Sequence, residues 1–271
     1  MKNLSGLGKT ERRRLTEVIR QTKGAISVAE AADILKANRN DVAKMLARWA
    51  VKGWLSRIRR GLYIPVPLES RTPDVPIEEP WIIAEYLYAP CYIGGWSAAE
   101  YWDLTEQIVR SIVILTIQKP RNRKLVIRNT KYVVRTISEK VMFGLKPVWR
   151  GKVKLSVSDP TRTIIDILND PSLGGGLRPS VDILLNYLKS KYKDMELLIN
   201  YAKRLGNGAV YKRLGFLLER LVPNDKKVIS ACKIELTKGN AKLDPKLPAD
   251  RLITKWKLWV PENWAEENRI D

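Results

Sequence analysis

Residues 27–67, SVAEAADILKANRNDVAKMLARWAVKGWLSRIRRGLYIPVP, constrain this chain most, because two helical patterns run directly into a basic hairpin. Ser27 and Glu30 have the S-x-x-E spacing of a capping box: the serine oxygen accepts the Glu30 N–H, and the glutamate side chain accepts the Ser27 N–H. A helix therefore opens at Val28. Asn38, Arg39 and Asn40 interrupt it with residues that turn and cap readily, after which Val42, Met45, Leu46 and Trp49 recur at i, i+3, i+4 and i+7. At about 100° per residue these four share one stripe, which leaves Asn40, Lys44, Ala47, Arg48 and Val51 on or near the opposite face. Next, WLSRIRRGLYIP sets strand-forming residues on either side of Arg59, Arg60 and Gly61, and glycine supplies the left-handed conformation that a short hairpin loop needs.

Two short helices and a hairpin in this order are the pattern of a winged helix-turn-helix. Residues 10–22, with Thr10 as cap and Leu15, Val18 and Ile19 on one side, predict the helix that completes its three-helix core. In such a module the second helix enters the major groove, where amides and guanidiniums at its start reach base edges. The candidates for that role are Asn38, Arg39, Asn40 and Lys44, with Arg48 expected on phosphate. Arg57, Arg59 and Arg60 on the wing are expected to meet the backbone or an adjacent minor groove. The alternative is a solvated cationic module that holds another protein.

Charge helps to separate these readings, since counterion release rewards a basic face whatever the DNA sequence. The chain carries a formal net charge of +20. Residues 1–67 hold 15 Lys and Arg against 5 Asp and Glu, so a quarter of the length has half of the excess. The remainder, with 34 against 24, is basic enough for a second nucleic-acid surface.

With 271 residues and 45% hydrophobic content, the chain can bury a sizeable core in two domains, or one domain and a module. Histidine is absent, which excludes Ser-His-Asp, Cys-His and H-E-x-x-H chemistry. Cys91 and Cys232 lack C-x-x-C spacing, so they read as buried free thiols rather than a zinc site or disulfide framework. The N-terminal residues have no apolar segment of signal-peptide length, and the apolar run near residues 112–117 is too short to span a bilayer, so a cytoplasmic location is expected. The nine tryptophans are scattered without a repeat and read mostly as core or interface anchors.

Pro65, Pro67, Pro73, Pro76 and Pro80 predict an extended linker after the wing, placed at residues 68–80. Beyond it, WIIAEYLY predicts a helix, and Ser97 with Glu100 repeats the S-x-x-E spacing ahead of YWDL, predicting a second helix capped by Ser97. SIVILTI and KLVIRNTKYVVRTIS are rich in β-branched residues, and the KPRNRK turn between them suggests a hairpin; VKLSV is a further strand. Asp159-Pro160 reads as an N-cap with proline at the first helical position, followed by Ile164, Ile165, Ile167 and Leu168. Residues 181–192, 195–205 and 210–221 predict three further helices. The fold class is therefore α+β: an N-terminal winged helix-turn-helix (1–67), the linker, and a larger mixed α+β domain (81–271).

Few constellations carry chemistry. Gly94-Gly95-Trp96-Ser97 invites comparison with the glycine-serine motif of nucleotidyltransferases, but the aspartate pair that must follow is missing. Gly174-Gly175-Gly176 has no Lys-Ser or Lys-Thr after it and no strand before it, so an interhelix loop outweighs a phosphate site. Asp159, Asp166 and Asp170 offer carboxylates for magnesium, against which stand a capping role for Asp159 and a buried polar contact for Asp166. Arg121, Arg123, Lys124, Arg128 and Lys131 form a basic turn that reads first as solvated.

Four segments give the chain a further likeness: RRGLYIPVP at the end of the winged pattern, YIGGWSAAEYWDLTEQ, DPTRTIIDIL with YKRLGFLLERL, and KLDPKLPADRLITKWKLWVPENW. On these the chain resembles the AbiEi-type antitoxins and transcriptional regulators of toxin–antitoxin and phage-defence operons. The resemblance implies a protein that represses its own operon through the N-terminal domain and counteracts a nucleotidyltransferase-like toxin through the C-terminal one. The implied partners are double-stranded operator DNA and the cognate toxin, the latter without need of a stable complex. No cofactor, no metal and no catalysis are implied, and residues 92–107 take a structural role. The competing readings are a nuclease or phosphoryl-transfer enzyme using the C-terminal carboxylates, and a winged-helix protein adaptor.

Overall fold

The computed structural model describes residue 6 and residues 8–66, 79–108, 111–120, 122–127 and 129–265. The N-terminal part comprises α1 Lys9–Gln21, β1 Ile26–Ser27, α2 Val28–Leu35, α3 Arg39–Val51, β2 Leu55–Arg59 and β3 Leu62–Pro65. Strand β3 lies between β1 and β2, both antiparallel to it. Leu15 and Val18 of α1 pack with Ala31, Ala32, Val42, Met45, Leu46, Trp49, Leu55 and Tyr63 in one buried cluster, which is the winged helix-turn-helix core. Helix α1 begins one residue before Thr10, after Gly8 and without a side-chain cap. Ile19, expected on the buried side, is 38% exposed, because the core accepts only the Leu15/Val18 edge of the helix.

The larger part starts with α4 Pro80–Tyr88, where proline occupies the first turn and needs no N–H partner. The linker expected at 68–80 lies outside the described residues except for Glu79 and Pro80. There follow β4 Cys91–Ile93, α5 Gly95–Tyr101, β5 Ser111–Thr116, β6 Lys124–Ile127, β7 Thr130–Thr136, β8 Leu145–Arg150 and β9 Val153–Ser158. These six strands form one mixed sheet in the order β6-β7-β5-β4-β9-β8. Helices α6 Pro160–Asn169, α7 Leu177–Lys189, α8 Met195–Leu205, α9 Gly208–Leu221 and α10 Lys226–Ile234 come next. A small sheet of β10 Ala241–Lys242, β11 Arg251–Ile253 and β12 Leu258–Val260 closes the described chain, in the order β10-β12-β11. The architecture is α+β.

Two local expectations fail for tertiary reasons. The β-branched runs do not form a hairpin across KPRNRK: β5 pairs parallel with β7, while the short β6 folds back antiparallel on β7 at the sheet edge. The second S-x-x-E is not a cap either. Helix α5 starts at Gly95, three residues early, and the Ser97 hydroxyl instead accepts the Val113 N–H at 3.0 Å and donates to the Ser111 carbonyl at 3.1 Å, tying the helix to β5. The predicted 181–192 helix runs from Leu177 to Lys189 and the 210–221 helix opens at Gly208, whereas 195–205 matches α8. Strand β8, helix α10 and the small C-terminal sheet had no counterpart in the expectations.

Side chains alternate between the two sheet faces, and each face is covered. One carries Ile93, Ile114, Tyr132, Val134, Val148, Leu155 and Val157 against Trp81, Ile82, Ile83 and Leu87 of α4, and this cluster also takes in Ala25, Leu62 and Ile64 of the winged module. The module is thus seated on the larger part through a shared apolar core. The other face presents Tyr92, Val113 and Leu115 to Leu173, beneath the helical layer.

Candidate nucleic-acid interface

The geometry that presents α3 begins at Ser27. Its hydroxyl accepts the Glu30 N–H at 3.2 Å and Glu30 accepts the Ser27 N–H at 3.2 Å, closing the predicted capping box. Helix α2 ends at Lys36, which takes the left-handed conformation (φ 48°), and the Ala37 N–H returns to the Ala32 carbonyl at 3.1 Å. Asn38 then caps α3, its Oδ1 accepting the Asn40 N–H at 2.8 Å. Three residues, Lys36 to Asn38, join the two helices, and α3 starts with an amide, a guanidinium and a second amide in succession.

Val42, Met45, Leu46 and Trp49 fix the inner face of α3, at 1%, 6%, 0% and 0% exposure. Asn38, Arg39, Asn40, Lys44 and Arg48 are all exposed, so they stand together on the outward face. At the far end, Lys52 reaches Glu11 of α1 at 2.9 Å, and that hydrogen bond holds the Glu11 carboxyl below its ordinary range. The helix is therefore held at both ends, by the Asn38 cap at its start and by the Lys52–Glu11 ion pair just past its end.

The wing is the β2–β3 hairpin, with Arg57 opposite Tyr63, Arg59 opposite Leu62 and a register shift between them. Gly61 has φ 78°, which the turn requires, and its carbonyl accepts the Val28 N–H at 3.1 Å. Arg57, Arg59 and Arg60 are exposed. Arg59, however, does not project freely: its Nη2 donates to the Tyr86 carbonyl of α4 at 3.3 Å. Tyr86 in turn donates its hydroxyl to Glu30 Oε1 at 3.2 Å, so α4 touches both the wing and the capping glutamate of α2. Arg57 and Arg60 are left as the wing's outward cations.

A cationic row on α1 went unnoticed in the sequence reading. Lys9, Arg12, Arg13, Thr16, Glu17 and Arg20 line a shallow concavity on its outer face. The signal was the ERRR run read at helical spacing.

In the larger part, the carboxylates considered for metal are otherwise engaged. Asp159 caps α6, accepting the Arg162 N–H at 2.7 Å, and takes the Tyr201 hydroxyl at 2.9 Å. Asp170 accepts Arg135 Nε at 3.0 Å and the Ser172 hydroxyl at 2.6 Å; its carboxyl lies below the ordinary range because these bonds outweigh burial. Asp166, 2% exposed, is paired with Arg162, 1% exposed. Among the described residues no group of three or more His, Cys, Asp or Glu is placed to hold a metal ion. The Gly174-Gly175-Gly176 segment connects α6 to α7, with Gly175 against the Trp96 ring. Of the basic turn, Arg123, Lys124 and Lys131 are exposed, while Arg121 and Arg128 lie outside the described residues. Both cysteines are buried free thiols.

No helix among the described residues is long and apolar enough to cross a membrane. No curated protein matches the chain. The first of the four family-like segments falls almost wholly within a family match, and the other three lie beyond it. Residues 13–66, from α1 to the end of the wing, match the family model described as "Transcriptional regulator, AbiEi antitoxin".

Proposed function

We propose that this chain is a DNA-binding repressor of its own toxin–antitoxin operon that also neutralises a cognate nucleotidyltransferase-like toxin, acting in the cytoplasm and without a cofactor. The carrying observation is the start of α3, where Asn38, Arg39, Asn40 and Lys44 stand exposed together on a helix whose opposite face is locked in the core. The family match over 13–66 supports the same reading. In this proposal residues 1–67 read the operator, 68–80 link, and 81–271 serve the antitoxin role. Double-stranded DNA is the first partner; the toxin is the second. The enzyme reading loses support because Asp159, Asp166 and Asp170 are committed to a cap and to ion pairs.

The test is binding of the duplex upstream of the chain's own coding sequence, followed over a range of salt. The logarithm of affinity should fall with the logarithm of salt at about 0.9 per phosphate contacted, and a flat response refutes the proposal. Asn40→Ala should cost about 1–3 kcal/mol and relax base preference at one position. Arg57→Ala with Arg60→Ala should weaken all duplexes alike and lower the slope. Arg59→Ala should do less, because that guanidinium already serves Tyr86. The antitoxin half is checked by growth: co-expression with the neighbouring toxin gene should restore it, and continued arrest contradicts that half.

A further inference from the structure

Tyr86 makes two polar ties between α4 and the winged module, and each lands on a different element of it. It lies in the last turn of α4, where a helix leaves its carbonyls without internal partners. The residue four positions on is Pro90, which has no N–H to offer the Tyr86 carbonyl. Arg59 of the wing supplies the donor instead, at 3.3 Å, and a cation at a helix C-terminus also meets the dipole favourably. The wing guanidinium thus caps α4.

The hydroxyl of the same residue reaches the other element. It donates to Glu30 Oε1 at 3.2 Å, while Glu30 Oε2 accepts the Ser27 N–H at 3.2 Å and the Ser27 hydroxyl at 2.7 Å. The two oxygens of one carboxylate are divided between the cap of α2 and the larger part. Burial and the facing Glu30 carboxylate push the Tyr86 phenol up to about 12, so at neutral pH it is a donor. Val28, the first residue of α2, gives its N–H to the Gly61 carbonyl in the wing turn at 3.1 Å. Tyr86, Glu30, Gly61 and Arg59 therefore close a ring through α4, α2 and the wing.

Beneath this ring Ala25, Leu62 and Ile64 share a buried cluster with Trp81, Ile82 and Ile83. Apolar burial holds the two parts together but has no direction, so by itself it leaves the module free to shift over α4. Hydrogen bonds have preferred lengths and angles, and the two at Tyr86 fix the angle at which the module sits.

We infer that Tyr86, outside the winged module and resting on the DNA reading proposed above, is a positioning residue for base readout: it sets the wing against α2 and, through the three-residue connection, against α3. Base contacts from α3 and backbone contacts from the wing then reach the duplex in one register. A module already held in that arrangement does not have to order its wing on binding. Non-specific binding needs charge alone, whereas base readout needs helix and wing placed together. Tyr86 acts on the difference between the two.

The full-length protein, Tyr86→Phe and Arg60→Ala are titrated over a range of salt with the duplex from upstream of the gene and with an unrelated duplex of equal length. Tyr86→Phe keeps the ring and its packing and removes only the bond to Glu30. Its affinity for the upstream duplex should fall roughly two- to tenfold, the worth of ordering one or two side chains. Its affinity for the unrelated duplex and its salt slope on both should stay parental, since no phosphate contact is lost, whereas Arg60→Ala should weaken both and lower the slope by about 0.9. Hydrogen exchange at the wing amides of residues 59–62 should quicken in Tyr86→Phe. Parental affinity for the upstream duplex and parental exchange in Tyr86→Phe overturn this inference and leave the α3 reading standing. An equal loss on both duplexes, the mark of a folding defect, or a lowered slope, the mark of a direct contact, overturns it too. A parent that binds the two duplexes alike, or without salt dependence, overturns the α3 reading and this one with it.

Discussion

Asp166→Ala is expected to destabilise the protein by about 3–5 kcal/mol, because it strands the Arg162 guanidinium in the interior. Arg162 Nε donates to Asp166 Oδ1 at 3.0 Å, its Nη2 donates to the Tyr92 hydroxyl at 3.0 Å, and Tyr92 donates on to Asp166 Oδ2 at 3.0 Å. Arg162 also faces the Phe143 ring at 4.2 Å. Burial pushes the Asp166 carboxyl up, while Arg162 and Tyr92 hold it down. The triangle joins α6 to β4, and hence the helical layer to the sheet. Removing one carboxylate costs more than the pair contributes, since the remaining charge keeps its full desolvation penalty. Replacing both partners, Arg162→Met with Asp166→Leu, should therefore recover most of the loss. Urea unfolding measures both variants; a single variant within about 1 kcal/mol of the parent contradicts the argument.

Ser27 and Ser97 carry identical S-x-x-E signals, yet only Ser27 caps. At Ser97 the preceding Gly94 and Gly95 let the helix open early, with Gly95 at φ 54°, and the buried hydroxyl serves the buried backbone of β5 instead. That choice depends on β5 being alongside, which spacing does not encode. The β-branched runs announced strands but not the parallel pairing of β5 with β7, because pairing order is settled by which faces the helices cover.

The winged module was readable because its signals are local: two caps, one stripe, one glycine turn. Asn40, Lys44 and Arg48 fell on the exposed face as the stripe of Val42 to Trp49 required, and Asn38 and Arg39 at the start of the helix are exposed as well. What the sequence hid was the tether of Arg59 to Tyr86 and the shared core of Leu62, Ile64 and Trp81, both long-range. Arg162 and Asp166 stand at the i, i+4 spacing of an ordinary surface ion pair, so nothing local marked them as buried. Strands of two or three residues, such as β10, β11 and β12, are too short for alternation to register.

Gly215 offers a sharper case, in which one substitution should change sign with its background. It lies inside α9, where glycine costs about 1 kcal/mol relative to alanine. A Cβ at this position would run into the six-membered ring of Trp256, whose side chain is fully buried and whose Nε1 donates to Glu219 Oε2 at 2.8 Å. The ring cannot swing away without breaking that bond. In the parent, Gly215→Ala should destabilise by up to about 2 kcal/mol net, the helix gain of about 1 kcal/mol being set against an overpacking cost of about 1–3 kcal/mol. Trp256→Ala alone should cost about 3–5 kcal/mol by emptying the space between α9 and the C-terminal sheet. Once the ring is gone, Gly215→Ala meets no obstacle and should stabilise by about 1 kcal/mol. A double-mutant cycle from denaturant unfolding measures the coupling, and an effect of Gly215→Ala that is the same in both backgrounds would show that the ring does not dictate the glycine.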